Sequence, residues 1–284
     1  MFRRPTAHTV GRTLGKGAAM KAMANTGTVV DVRSTEDDQA WSRIGRLAAY
    51  VAGVGFLVTT VLYLLDVYDV LNPTPSYVQT SPSQLHDEAQ FWGAMFAHQH
   101  AILWDVIVRD VVGPAAFIAL IVVGVAVGRL ADGDRPERQL MITFLGIGGV
   151  ISTMASLLYL GNAEFWRLSW SNPQKGGETS MVAVGRATTA INNLTIWPEA
   201  FGYLVLALGV VCLGVLIRRQ RWMPTQMGMV AYVTAASLAA LAVTTAMGAD
   251  AARSTLALAV GAVLAPVLCI WLGRTLARGR AAAA

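Results

Sequence analysis

The chain alternates between long apolar stretches and short polar ones. Crossing about 30 Å of hydrocarbon at 1.5 Å per residue takes about 20 mostly apolar residues in an α-helix. Six segments meet this requirement, and they predict an all-α integral membrane bundle of six transmembrane helices. The predicted spans are residues 44–65, 108–128, 139–160, 196–217, 226–247 and 254–272.

The fifth and sixth spans are separated by a very short polar break, GADAARS, residues 248–254. Asp250 and Arg253 make one continuous apolar span unfavourable, because ionisable side chains are costly in hydrocarbon. The pattern therefore predicts a tight helical hairpin.

Small and hydroxyl residues recur inside the predicted spans. Gly146, Gly148 and Gly149 form a GxGG pattern in the third span, and the fifth span interleaves threonines and Ser237 with alanines. Such residues let helix backbones approach closely in lipid. We interpret them mainly as helix-packing residues, with the lining of a polar path as the alternative.

Lysine and arginine are distributed unevenly between alternate polar stretches. Eight lie in the N-terminal region through Arg46 and three in each of the next cytoplasmic candidates, RLADGDRPER, RRQR and GRTLARGR. The opposite side carries five of the 22. Since basic residues are retained on the cytoplasmic side, this bias predicts that both termini are cytoplasmic. Residues 66–107 and 161–195 then form two extracytoplasmic segments.

Composition agrees with a membrane protein. The chain is 55% hydrophobic and 14% charged, whereas about a quarter of an ordinary soluble domain is charged. The net charge of +5 does not indicate a nucleic-acid partner, because the basic residues lie between spans rather than on one exposed face. Cys212 and Cys269 lie in apolar runs, so neither a disulfide framework nor a cysteine metal site is indicated.

The remaining organisation is simple. We expect a flexible basic cytoplasmic tail over residues 1–42, the transmembrane domain over 43–274 and a short basic, alanine-rich tail over 275–284. The first forty residues lack the apolar core of a signal peptide, and translation could begin at Met1, Met20 or Met23. Arginine outnumbers lysine and Ala, Gly and Val are abundant, which suggests a high-GC bacterial genome and a cytoplasmic (inner) membrane.

The first extracytoplasmic segment contains a predicted helix. Ser81 and Pro82 form a helix-start signal, and nothing interrupts a helix from about residue 83 to 112. We expect this helix to lie along the outer surface and to kink at Gly113-Pro114 on entering the second span. Asp66, at the end of the first span, is expected to be solvated.

Within this helix, FAHQHAILWDVIVRD concentrates ionisable residues. His98 and His100 are about 200° apart around a regular helix and cannot bind one ion together. His98, Asp105 and Arg109 instead fall on one stripe, and Asp105 and Arg109 are spaced i, i+4 for an ion pair. The stripe is therefore a candidate binding surface.

The second extracytoplasmic segment supplies further candidates. It contains Glu164 and Arg167, followed by Pro198 and Glu199. Pro198 suits the start of the fourth span, where Glu199 would favour a helix N-terminus. The predicted outer-face binding cluster is His98, Asp105, Arg109, Glu164, Arg167 and Glu199.

Three interpretations of this cluster remain open. It is a salt-bridged interfacial helix, a pocket for a small molecule, quinone or lipid headgroup, or a metal or haem site using His98, His100, Asp105 and Glu199. The other histidines, His8 and His86, do not supply a haem ligand from a second transmembrane helix. No cofactor is therefore predicted, and a metal or haem is the lesser alternative.

The sequence also lacks motifs of common enzymes. It has no Walker motif, HExxH, GxSxG or CxxC, and the stretches between spans are too short for a soluble catalytic domain. We expect a non-catalytic accessory subunit or a small-molecule binding or transport protein in the lipid bilayer, with other membrane subunits or a homo-oligomer as partners. The alternative is a metal- or haem-dependent oxidoreductase or oxygenase subunit.

Overall fold

A computed structural model describes residues 16–68, 70, 85–131, 133, 135–170 and 173–278. The chain divides into two units, Met1–Ala40 and Trp41–Ala284. The first α-helix begins at Lys16, inside the tail that the sequence predicts to be flexible.

Every described secondary-structure element is helical, and the all-α prediction is confirmed. Six helical stretches are long and apolar enough to cross a membrane, and each overlaps one predicted span: Glu36–Val67, Trp104–Leu130, Pro136–Ala163, Gly177–Arg219, Thr225–Ala246 and Asp250–Ala277. The elements in chain order are α1 (Lys16–Val67), α2 (Leu85–Ala101), α3 (Leu103–Leu130), α4 (Pro136–Trp170), α5 (Pro173–Arg219), α6 (Thr225–Ala246), α7 (Asp250–Ala257), a π-helical segment (Leu258–Leu264) and α8 (Ala265–Arg278).

Large apolar side chains cover much of the bundle's outer surface. Val54 on α1, Met154 on α4 and Val233 on α6 are each more than half exposed. In water such surfaces would be unfavourable, whereas in a bilayer they face hydrocarbon of the same polarity. The chain is therefore a polytopic membrane protein.

Close packing of α4 against its neighbours depends on glycines, as the GxGG pattern predicts. A Cβ atom on Gly148 would lie 2.8 Å from Leu206 of α5, and one on Gly149 would lie 2.8 Å from Ile121 of α3. Both distances are too short for a side chain, so substitution at either position forces the helices apart.

The break between α6 and α7 is the predicted tight hairpin. Helix α6 ends at Ala246 and α7 begins at Asp250. Gly248 adopts a left-handed conformation with φ 64°, which a residue without Cβ adopts at little cost.

The prediction of one continuous surface helix over residues 83–112 is wrong. Helix α2 ends at Ala101, Ile102 has φ −102° and ψ 12°, and α3 begins at Leu103. The break therefore lies at Ile102 and not at Gly113-Pro114, through which α3 continues. His98 and Arg109, on the two sides of Ile102, therefore belong to different helices.

The second polar segment is also more helical than expected. Helix α4 extends to Trp170 and α5 begins at Pro173, so Pro198 and Glu199 lie inside α5 rather than at its start. At 1.5 Å per residue, the 43 residues of Gly177–Arg219 measure about 65 Å, roughly twice the hydrocarbon thickness. The N-terminal part of α5 therefore projects beyond the membrane, where α2 contacts α4 and α5; we call this the α2 end of the bundle.

Candidate functional site

A cavity of about 470 Å³ lies at the centre of the bundle. Residues from all six candidate spans line it. Helical spacing explains this arrangement: Ile196, Glu199, Tyr203, Leu206 and Val210 recur every three or four residues and so line one face of α5. The cavity has a charged end, formed by Asp66, Arg109, Asp110, Glu199 and Arg253, and an apolar floor, formed by Phe117, Leu120, Val210, Leu238 and Leu268.

Glu199 is at the centre of one hydrogen-bonded group at the charged end. Tyr159 of α4 donates to its Oε2 at 3.0 Å, and Tyr203 donates to its Oε1 at 2.9 Å. Arg253 of α7 donates from one nitrogen to both oxygens, at 3.1 and 2.9 Å. Glu199 therefore joins α4, α5 and α7, and its charge is balanced inside the bundle.

Arg109 is at the centre of the second group. One nitrogen donates to Asp66 of α1 at 3.4 Å, and its Nε lies 3.6 Å from Asp110. Nε2 of the buried His98 lies 3.9 Å from the other oxygen of Asp66. Asp66 thus connects α1 to α2 and α3 at about one-quarter exposure, so the prediction that it is solvated is wrong.

The predicted Asp105–Arg109 ion pair does not form. Asp105 is fully buried, and neither of its carboxyl oxygens has a hydrogen-bond partner in the part of the chain that the structure describes. The spacing allows the pair, but Arg109 also reaches Asp66 and Asp110 and is engaged with them.

The apolar floor lies deeper in the membrane. From Asp110 to Leu120 along α3 is ten residues, or about 15 Å, and Phe117 between them packs edge-to-face on Phe56 at 5.3 Å. The π-helical segment also contributes Val260 and Gly261 to the lining. π-Helical insertions are often found at functional positions, because they change which side chains face a site.

Beyond the floor, the bundle is closed by a dense core. Met141, Leu145, Leu213, Leu216 and Leu272 are fully buried there. The same end is held by Ser42, which donates to the Leu276 carbonyl at 2.5 Å, and by the Arg219–Glu137 ion pair. The cavity is therefore blocked at the end opposite α2.

At the α2 end, two ion pairs hold α2 against α5. Arg186 donates to both oxygens of Glu88 at 2.9 and 2.8 Å and lowers the pKa of that carboxyl. His86 Nδ1 lies 2.5 Å from Glu178, and this hydrogen bond raises the pKa of the imidazole. Both pairs are largely exposed, so they orient α2 more than they stabilise it.

The structure brings part of the predicted binding cluster together. Arg109 and Glu199 line the cavity. His98 does not line it, but its Nε2 lies 3.9 Å from Asp66, which does. Asp105 is buried outside the lining. The side chains of Glu164 and Arg167 lie outside the described part of the structure.

The four candidate metal ligands have different surroundings. His98 is buried whereas His100 is exposed, as expected for residues on opposite helix faces. Asp105 has no hydrogen-bond partner, and Glu199 is bound by two tyrosines and an arginine. Among the described residues, no group of three or more His, Cys, Asp or Glu side chains could hold a metal ion.

Sequence reasoning missed Asp110, Arg253 and Tyr159 as cavity residues. Asp110 and Arg253 carried a usable signal, because ionisable residues at the edges of apolar spans are costly and tend to face a cavity or a partner. Tyr159 carried none, since membrane-boundary tyrosines are common without a ligand.

The chain was also compared with known proteins. No protein-family model, curated protein or solved structure matches it. Its function is therefore argued from the cavity and the residues that line it.

Proposed function

We propose that this membrane protein binds a small amphipathic molecule in its central cavity. The observation that carries the proposal is a cavity of about 470 Å³ with a charged end and an apolar floor, lined by all six candidate spans. Ligand pockets are typically about 300–1,000 Å³, mostly apolar, with a few converging polar groups. The cavity meets each of these criteria.

The charged end favours a binding role over a purely structural one. Asp66, Arg109, Asp110, Glu199 and Arg253 lie between helices that are otherwise apolar. Each ionisable group costs free energy in such surroundings, and ionisable residues inside membrane proteins tend to mark functional sites. A polar ligand group that contacts them supplies a reason for the arrangement.

The role we propose is non-catalytic. The protein acts as a binding or transport protein of a bacterial cytoplasmic membrane, alone or as an accessory subunit of a larger assembly. Because the core beyond the floor is closed, transport would require that core to separate. The distribution of basic residues supports an orientation with both termini in the cytoplasm and the α2 end outside.

The binding proposal is tested by comparing two phenylalanine substitutions. Ala257 lines the cavity, whereas its neighbour Leu258 is 39% exposed on the outer surface. Small molecules extracted from the wild-type protein, Ala257→Phe and Leu258→Phe should be compared by untargeted mass spectrometry. We expect an amphipathic compound to copurify with the wild type and Leu258→Phe and to be depleted from folded Ala257→Phe. The same compounds at equal amounts in all three proteins would contradict the proposal.

The orientation is tested separately with reporter fusions. Alkaline phosphatase, which is active outside the cytoplasm, should be active when fused near residue 175 and inactive when fused after the C-terminus. A fluorescent protein that folds in the cytoplasm should show the reverse pattern. The opposite result for both reporters would overturn the orientation without affecting the cavity.

A further inference from the structure

We infer that the ligand of the central cavity is an amphipathic cation, a molecule with a protonated amine that binds at Asp110 and an apolar part that lies on the floor. This inference rests on the proposed function and specifies its ligand class. Three features of the cavity support it: an unsatisfied buried carboxylate, a surplus of acidic side chains, and aromatic walls.

Asp110 is the residue with unused binding capacity. It lines the cavity with its side chain 7% exposed. One oxygen lies 3.6 Å from Arg109, and the other, Oδ2, is buried without a hydrogen-bond partner among the described residues. A buried carboxylate oxygen without a donor is costly, and an ammonium group supplies both the missing donor and the opposite charge.

The charges of the lining have a negative surplus. Among the described residues that line the cavity, three are acidic, Asp66, Asp110 and Glu199, and two are arginines. Both arginines are already engaged, Arg109 by two aspartates and Arg253 by Glu199. An anionic ligand would have to displace a carboxylate from a guanidinium, whereas a cation adds to the existing pairs.

Aromatic side chains surround the path between Asp110 and the floor. Phe56, Tyr63, Phe117, Tyr159 and Tyr203 all line the cavity. The faces of such rings attract ammonium groups through cation–π interactions, and their hydrocarbon surfaces also accommodate an apolar chain. The same aromatic side chains can therefore contact both the ammonium group and the apolar part of the ligand.

Three probes of similar size separate charge from hydrophobicity. They are 4-phenylbutylamine, 4-phenyl-1-butanol and 4-phenylbutyrate, which are cationic, neutral and anionic at pH 7. Binding to the purified protein in a neutral maltoside detergent is measured by isothermal titration calorimetry. We expect the amine to bind at least about tenfold more tightly than the alcohol, and the carboxylate to bind weakest, because a charge-assisted hydrogen bond adds to similar apolar burial.

Two variants test whether the amine binds at Asp110. Asp110→Asn should weaken amine binding at least about tenfold and leave alcohol binding unchanged. The matched control is Asp250→Asn, which removes an exposed carboxylate at the start of α7 and should leave both affinities unchanged. If Asp110→Asn does not fold, the order of the three probes on the wild-type protein decides.

The outcomes distinguish the inference from the proposed function. If the alcohol or the carboxylate binds as tightly as the amine and Ala257→Phe weakens that binding, the cavity binds amphiphiles but the cationic assignment is overturned. If no probe binds, or if Ala257→Phe changes none of the affinities, the proposed function is contradicted as well.

Discussion

Replacing Glu199 by glutamine should destabilise the bundle more than any neighbouring polar change. Glu199 accepts hydrogen bonds from Tyr159, Tyr203 and Arg253, and these residues belong to α4, α5 and α7. Its side chain is 14% exposed and that of Arg253 is 24% exposed. A glutamine keeps the size of the side chain but removes the negative charge that balances Arg253.

The magnitude follows from the contacts. Each tyrosine hydrogen bond within a membrane protein contributes about 0.6 kcal/mol. Removing one partner of a fully buried ion pair costs about 3–5 kcal/mol, and partial exposure of this pair reduces the cost to about 2 kcal/mol. Glu199→Gln should therefore lower the free energy of unfolding by about 3 kcal/mol, and Tyr159→Phe by about 0.6 kcal/mol.

The assay is reversible unfolding in mixed dodecyl sulfate and maltoside micelles. Asp250→Asn, which changes an exposed carboxylate at the start of α7, is the control and should unfold within about 0.5 kcal/mol of the wild type. The double variant Glu199→Gln/Arg253→Gln should lose less unfolding free energy than the sum of the two single variants, because the two side chains interact. A Glu199→Gln protein within about 0.5 kcal/mol of the wild type would refute the reasoning, since the charge of Glu199 would then contribute nothing to stability.

Three further changes test other contacts. Gly185→Ala should destabilise by about 1–3 kcal/mol, because its Cβ would overlap the Trp92 ring; a second change, Trp92→Leu, should recover part of that loss in the same unfolding assay. Glu178 raises the pKa of His86. The His86–Glu178 pair should therefore add stability below about pH 6.5, and this stability should be lost as pH rises through the raised pKa. The unfolding free energy of Glu178→Gln, measured against pH, should lack this pH-dependent loss. Asp105 is buried without hydrogen-bond partners, so Asp105→Asn should unfold no more easily than the wild type, and a large loss would show a missing partner.

The fold was largely predictable because apolar length and small-residue spacing are local signals. The six spans, the hairpin at residues 248–254 and the packing role of Gly148 follow from them. The break at Ile102 was not predictable, because residues 98–106 contain no glycine or proline. His98, Asp105 and Arg109 were therefore predicted to lie on one helix, although they belong to α2 and α3.

The site was predictable in part, for a different physical reason. Glu199 and Arg109 stood out individually as ionisable residues near apolar spans. Their partners did not, because Arg253 is 54 positions from Glu199 and Asp66 is 43 from Arg109. Pairing over such distances depends on how the helices pack, which local patterns do not encode.

The central claim is that the charged end and the apolar floor enclose one ligand. A cryo-electron microscopy map of the protein purified in its native lipids tests this claim most directly. We predict elongated non-protein density between Asp110 and Leu268, with Arg253 bound to Glu199 and Arg109 bound to Asp66. A cavity collapsed by side chains, or charged residues that point apart toward lipid or water, would contradict the claim.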